Sequence, residues 1–89
     1  MSPLEFHARV LSYCTAMGAS MTSGFRTLTH NKAVGGVAGS AHRFGLAADV
    51  VYDEPWPAAT RVEMAKRLGL RCIVESDHDH LQPLTWTAG

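Results

Sequence analysis

Leu4, Val10, Leu11, Cys14 and Met17 recur at close to helical spacing, and the residues around them carry matching start and stop signals. Ser2 can cap, Pro3 suits the first helical position, Glu5 completes a capping box, and Gly18 follows as a stop. The spacing predicts a helix over 3–17, with His7 exposed among polar neighbours. Residues 19–23 read as a short strand ended by Gly24. Periodicity is then lost over 26–40, apart from a short helical turn near 29–34, in a passage punctuated by Gly24, Gly35, Gly36 and Gly39. A loop of that length in a small domain is usually functional. The run L-A-A-D-V-V-Y over 46–52 reads as a buried strand with one charge in it. An aspartate between Ala48 and Val50 is costly to bury, so Asp49 needs a cation or several donors. Asp53-Glu54-Pro55-Trp56-Pro57 makes a turn into a second helix over 58–68. Its apolar stripe is Ala58, Val62, Ala65 and Leu68, with Arg61, Lys66 and Arg67 facing water and Gly69 closing it. A strand over 71–74 delivers the run Glu75 to His80, and 81–86 adds a last extended edge. The order α, β, long loop, β, α, β, β predicts an α+β domain with a small, mainly antiparallel sheet packed with two helices.

Eighty-nine residues make one domain, 1–89, that buries only about 60 % of its unfolded surface, so a bound metal would help hold it. Hydrophobic residues at 46 % and charged residues at 18 % place the chain among globular rather than disordered sequences. A formal net charge of zero gives no long-range attraction to nucleic acid or to an anionic membrane surface. Cys14 and Cys72 are too few and too far apart for a zinc ribbon or a disulfide scaffold, and their apolar neighbours make them small core residues. No basic n-region with an apolar h-region opens the chain and no long apolar run occurs in it, so the expectation is a soluble product without its own export signal and with no membrane insertion.

The chemistry concentrates in two stretches. S-A-H-R-F-G-L-A-A-D sets His42 and Asp49 seven positions apart, and E-S-D-H-D-H crowds Glu75, Asp77, His78, Asp79 and His80 into six residues. Imidazole and carboxylate are the usual ligands of a catalytic zinc, which takes three protein groups and leaves a fourth position for water. His42, Asp49, His78 and His80 are four candidates for three places, and a carboxylate left over would serve as general base. If the second stretch is extended, His78 and His80 share one face and Asp77 and Asp79 the other.

The run Ser40, His42, Gly45, Ala47, Asp49 resembles the S-x-H-x-x-G-x-A-x-D signature of the zinc D-Ala-D-Ala carboxypeptidases and related peptidoglycan endopeptidases. These LAS metallopeptidases share a zinc fold with the Hedgehog signalling domain. T-S-G-F-R and H-N-K-A-V-G-G-V-A-G-S resemble the family's approach to the signature, and E-S-D-H-D-H-L-Q its closing segment, so the likeness spans residues 22–82. It implies a Hedgehog/DD-peptidase-like fold with zinc held by His42, Asp49 and His80. It also implies Glu75 as the favoured general base with Asp77 second, and His78 as a stabiliser of the transition state. Arg26 is implied to bind the substrate carbonyl or carboxylate, and Ser40 to orient the substrate or the His42 loop.

The function so implied is zinc-dependent hydrolysis of peptide bonds in peptidoglycan stem peptides, as a D,D-carboxypeptidase or an endolysin-like endopeptidase. A monomeric phage or prophage product is expected, made in the cytoplasm and reaching the wall by host lysis or on a virion. Only 25 residues separate Asp49 from Glu75, so insertions that shape substrate pockets elsewhere in the family are short or missing here. A zinc-stabilised, non-catalytic binding module is the alternative, and Glu75, Asp77, His78 and Arg26 together speak for catalysis over it.

Overall fold

Ser2 caps the first helix, α1 (Pro3–Met17), by accepting the Glu5 N–H at 3.1 Å, and Pro3 opens it. The reciprocal half of the expected capping box is not made, because the Glu5 carboxylate turns to Arg9 at 3.2 Å. Gly18 ends the helix at φ 58°, a left-handed conformation that costs glycine least. The chain then enters β1 (Ala19–Ser23). Later come β2 (Ala48–Tyr52), α2 (Ala58–Arg67), β3 (Leu70–Val74) and β4 (Asp79–Pro83). This computed structural model describes residues 1–23 and 45–85. The expected loop over 26–40 and its helical turn lie outside those residues.

The strands form one antiparallel sheet in the order β1-β2-β4-β3. β2, α2 and β3 make a split crossover unit in which β4 fills the space between two parallel strands. The sequence expectation of a last edge over 81–86 is thereby corrected in two ways: β4 begins at Asp79, and it lies inside the sheet. Its inward residues Asp79, Leu81 and Pro83 are all buried, a period of two that the charge at Asp79 conceals in the sequence.

Both helices pack on one face of the sheet, around Phe6, Val10, Tyr13, Met17, Ala48, Val50, Ala65, Leu70, Cys72 and Leu81. On α1 the buried line is Phe6, Val10, Tyr13 and Met17, whereas Leu4 and Leu11 are 81 % and 51 % exposed. The steps of four, three and four put the aromatic pair on the core side, and Leu11 lies about 100° round from Val10. His7 is exposed, Cys72 is buried and Cys14 is half-buried. On α2 only Ala65 is fully buried, with Val62 and Leu68 packed at the margin and Ala58 exposed. Arg61, expected to face water, instead turns its guanidinium inward to Asp79 at 2.8 Å, because a buried carboxylate on β4 requires a cation.

Alternation leaves the opposite face of the sheet to Asp49 and Val51 on β2, His80 and Gln82 on β4, and Arg71 and Ile73 on β3. Polar groups gather there at the middle of the sheet. Among the described residues no helix is long and apolar enough to cross a membrane.

Candidate active site

Antiparallel pairing of β2 with β4 sets Asp49 directly opposite His80. Gly45 at φ 70° leads the chain toward β2, a backbone turn that explains a glycine at that place in the signature. The register brings the His80 Nδ1 to 3.4 Å from the Asp49 Oδ1. On the far side of the ring, the His80 Nε2 lies 2.9 Å from the Gln82 Oε1. In the Nε2–H tautomer the ring donates to the Gln82 amide oxygen and leaves Nδ1 on the side of Asp49. Gln82 was not among the sequence candidates. A signal for it exists, since on a strand the residue two beyond a histidine shares its face.

The donor set fits zinc as far as it is described. Two ligands of a tetrahedral zinc with bonds of about 2.0–2.1 Å stand about 3.3–3.4 Å apart, which is the Asp49–His80 separation. The tie from Gln82 is the kind of support that metal-binding histidines use to fix ring orientation. Among the described residues no group of three such side chains gathers closely enough to hold a metal. His42, the third expected ligand, lies outside the described residues, as do Arg26 and Ser40.

His78 stands just before β4, in the loop over 75–78. Its Nε2 is 2.9 Å from the Glu75 Oε2 and 4.0 Å from the Asp49 Oδ1, and its Nδ1 is 2.6 Å from the Asp77 Oδ1. Glu75, His78, Asp49 and His80 are therefore brought together, and Asp77 joins them through the outer nitrogen of His78. The hydrogen bond to Asp77, opposed by partial burial and assisted by the charges of Asp49 and Glu75, raises the His78 pKa above its ordinary 6.5. Bracketed by two carboxylates, the ring is stabilised as a doubly donating imidazolium.

A group whose pKa rises on folding lends stability that is fully present below about 6.5 and is lost as pH climbs through the raised value. In zinc-free protein an NMR titration is expected to place the His78 midpoint above 6.5, and Asp77→Asn to move it down. A midpoint at or below 6.5 contradicts the bracketing.

Asp79, read in the sequence as one more charge in an acidic run, is completely buried on the helix side of the sheet. Arg61 Nη1 donates to both its oxygens at 2.8 and 2.9 Å, and the Tyr52 hydroxyl to Oδ2 at 2.7 Å. The Glu75 N–H donates to Oδ1 at 3.3 Å and the Cys72 thiol to Oδ2 at 3.5 Å. Tyr13 extends the chain, its hydroxyl 2.7 Å from that of Tyr52 with the rings packed edge to face. Burial pushes both tyrosines above their usual range, and burial with the Asp79 charge pushes the Cys72 thiol up to about 11. All three are un-ionised donors at neutral pH.

A cleft of about 350 Å³ opens beside His78, lined among others by Glu75, Asp77, Pro55 and Trp56. Trp56 is anchored by its indole N–H to the Met17 carbonyl at 2.8 Å, which fixes that wall to the end of α1. The cleft offers a place for a ligand against the Glu75 and Asp77 carboxylates and the His78 ring, and Arg61 and Tyr52 complete its lining on the side of Trp56.

A family model described as Peptidase M15 matches residues 10–82, which includes both histidine-bearing stretches. Neither a curated protein nor a solved structure matches the chain.

Proposed function

This chain belongs to the peptidase M15 family, and on that premise we propose that it is a zinc-dependent hydrolase of peptide bonds in peptidoglycan stem peptides. The observation that carries the reading is the Asp49–His80 pair, spaced at 3.4 Å as two zinc ligands would be and adjoining the Glu75–His78 pair. The ligand set we propose is His42, Asp49 and His80. Zinc bound there would polarise a water, lower its pKa toward neutrality and polarise the scissile carbonyl.

The protein's own groups then divide the remaining work. Glu75 is the proposed general base: its Oε2 lies on the same side of the His78 ring as Asp49, placed to take a proton and return it to the leaving amine. Asp77 serves less well, being 85 % exposed and bonded to the outer nitrogen of His78. His78, favoured as the imidazolium and held through Nδ1 by Asp77, would donate its Nε2–H to the oxygen on which charge develops once Glu75 turns from that nitrogen to the attacking water. Arg26 is proposed to bind the substrate carbonyl or terminal carboxylate, for which a planar guanidinium suits, and Ser40 to orient the substrate. Carboxypeptidase and endopeptidase action both fit these roles. A phage or prophage lytic setting is the finer form of the proposal and rests on the family likeness.

The test is release of peptide fragments from defined muropeptides, followed by mass spectrometry with and without a chelator. Zinc-loaded protein is expected to cut, chelation to stop it, and added zinc to restore it. Release undiminished by chelation contradicts the reading, and stoichiometric zinc without hydrolysis of any muropeptide replaces it with a binding module.

A further inference from the structure

The buried ion pair on the helix side of the sheet is out of proportion to what the core needs. A leucine at 79, in line with Leu81 and Pro83, would fill the same space, and replacing a buried ion pair by apolar groups is often neutral or stabilising. What an apolar side chain would lose is the set of donors that Asp79 gathers. One is the backbone N–H of Glu75, four residues back; another is Arg61, from α2. Val74 and Asp79 form the last pair of the β3–β4 ladder, so the loop between them is residues 75–78, and the Asp79 carboxylate closes it from inside.

That loop and the residue after Asp79 supply Glu75, Asp77, His78 and His80. Strand alternation means that a side chain pinned inward at Asp79 holds the adjacent His80 outward, facing Asp49. Arg61 also donates through Nε to the Trp56 carbonyl at 3.1 Å. One guanidinium thus links the two walls of the cleft, the hairpin through Asp79 and the 53–57 turn through Trp56.

We propose that Asp79, held by Arg61, is the positioning residue of this site: from the opposite face of the sheet it sets the hairpin that presents Glu75, His78 and His80. The inference rests on the peptidase reading for what the hairpin does. Asp79 itself is completely buried and reaches neither substrate nor metal, whereas Arg61 and Tyr52 also line the cleft. The effect of losing the Asp79 carboxylate is therefore expected in zinc affinity and in kcat, and zinc affinity is the readout that a contact made only with the cleft does not move.

The experiment separates positioning from stability. The triple variant Tyr52→Phe, Arg61→Met, Asp79→Leu replaces the buried polar groups by apolar ones of similar size, while the Tyr13 hydroxyl keeps the Arg61 carbonyl as acceptor. Melting temperature, zinc affinity by competition with a chromophoric chelator, and kcat and KM on a muropeptide are measured on wild type and variant. A melting temperature within a few degrees of wild type is expected, with zinc affinity and kcat each lower by about 10–100-fold, the usual effect of removing groups that orient metal ligands. Should the triple variant not fold, Asp79→Asn is read for the same quantities, and the same losses are expected. A folded variant with zinc affinity and kcat within about two-fold of wild type overturns the proposal and leaves the peptidase reading standing. A wild-type protein that binds no zinc overturns both.

Discussion

His80→Ala is expected to lower kcat/KM on a muropeptide by on the order of 10³-fold or more, and Asp49→Ala to match it. Loss of a single hydrogen-bond donor to a developing oxyanion costs about 10²–10³-fold in well-studied hydrolases, and loss of a metal ligand removes the group that organises the whole site. In zinc-free protein the same substitutions should barely change the melting temperature. Both side chains lie on the sheet face away from the helices, and neither belongs to the buried cluster. Gln82→Ala should act in the same direction but less, by about 10–100-fold, since it removes only the partner that fixes the His80 ring. Steady-state kinetics and zinc content measured together check the set. Full activity in His80→Ala with zinc retained would remove His80 from the site.

Asp79→Ala, one residue earlier on the same strand, is expected to do the opposite in the zinc-free state. It leaves the Arg61 guanidinium and the Tyr52 hydroxyl without their partner in a buried setting. Breaking one side of a buried ion pair costs about 3–5 kcal/mol. A domain of this size has about 4–13 kcal/mol in all, so the loss is a large part of its stability. At about 4–8 °C per kcal/mol for small domains, the melting temperature should fall by about 12–40 °C. Calorimetry or circular dichroism measures it, and a fall of under about 5 °C would mean that the pair contributes little to holding the fold. The strand's two faces thus answer to different assays: the outward residue to chemistry, the inward one to stability.

Much of this arrangement is legible in the chain. Helix punctuation at Ser2, Pro3 and Gly18 and at Gly69, and the alternating or apolar runs between, locate every described element to within two residues except β4. The pairing of Asp49 with a histidine from the last segment follows from chemistry, because an aspartate in an apolar strand asks for a partner. What the sequence hides is non-local. Arg61 sits on a helix face that reads as polar, and only the β4 register eighteen residues later gives it an inward partner. Asp79 looks like part of a solvated acidic run because its neighbours Asp77 and His78 are so. The buried period of Asp79, Leu81 and Pro83 emerges once the aspartate is counted as a neutralised core residue. On α1, choosing Leu4 and Leu11 over Phe6 and Tyr13 follows hydropathy alone, whereas Tyr13 is needed inside for its hydroxyl, which ends the chain of hydrogen bonds from Asp79.

The most direct measurement is anomalous diffraction at the zinc edge from crystals grown with zinc. One ion is expected, bonded at about 2.0–2.2 Å to Asp49, to the Nδ1 of His80 and to His42, with Glu75 and His78 beside it but not coordinating. An ion held by His78 in place of His80, or a well-occupied zinc elsewhere with Asp49 and His80 turned apart, would contradict it.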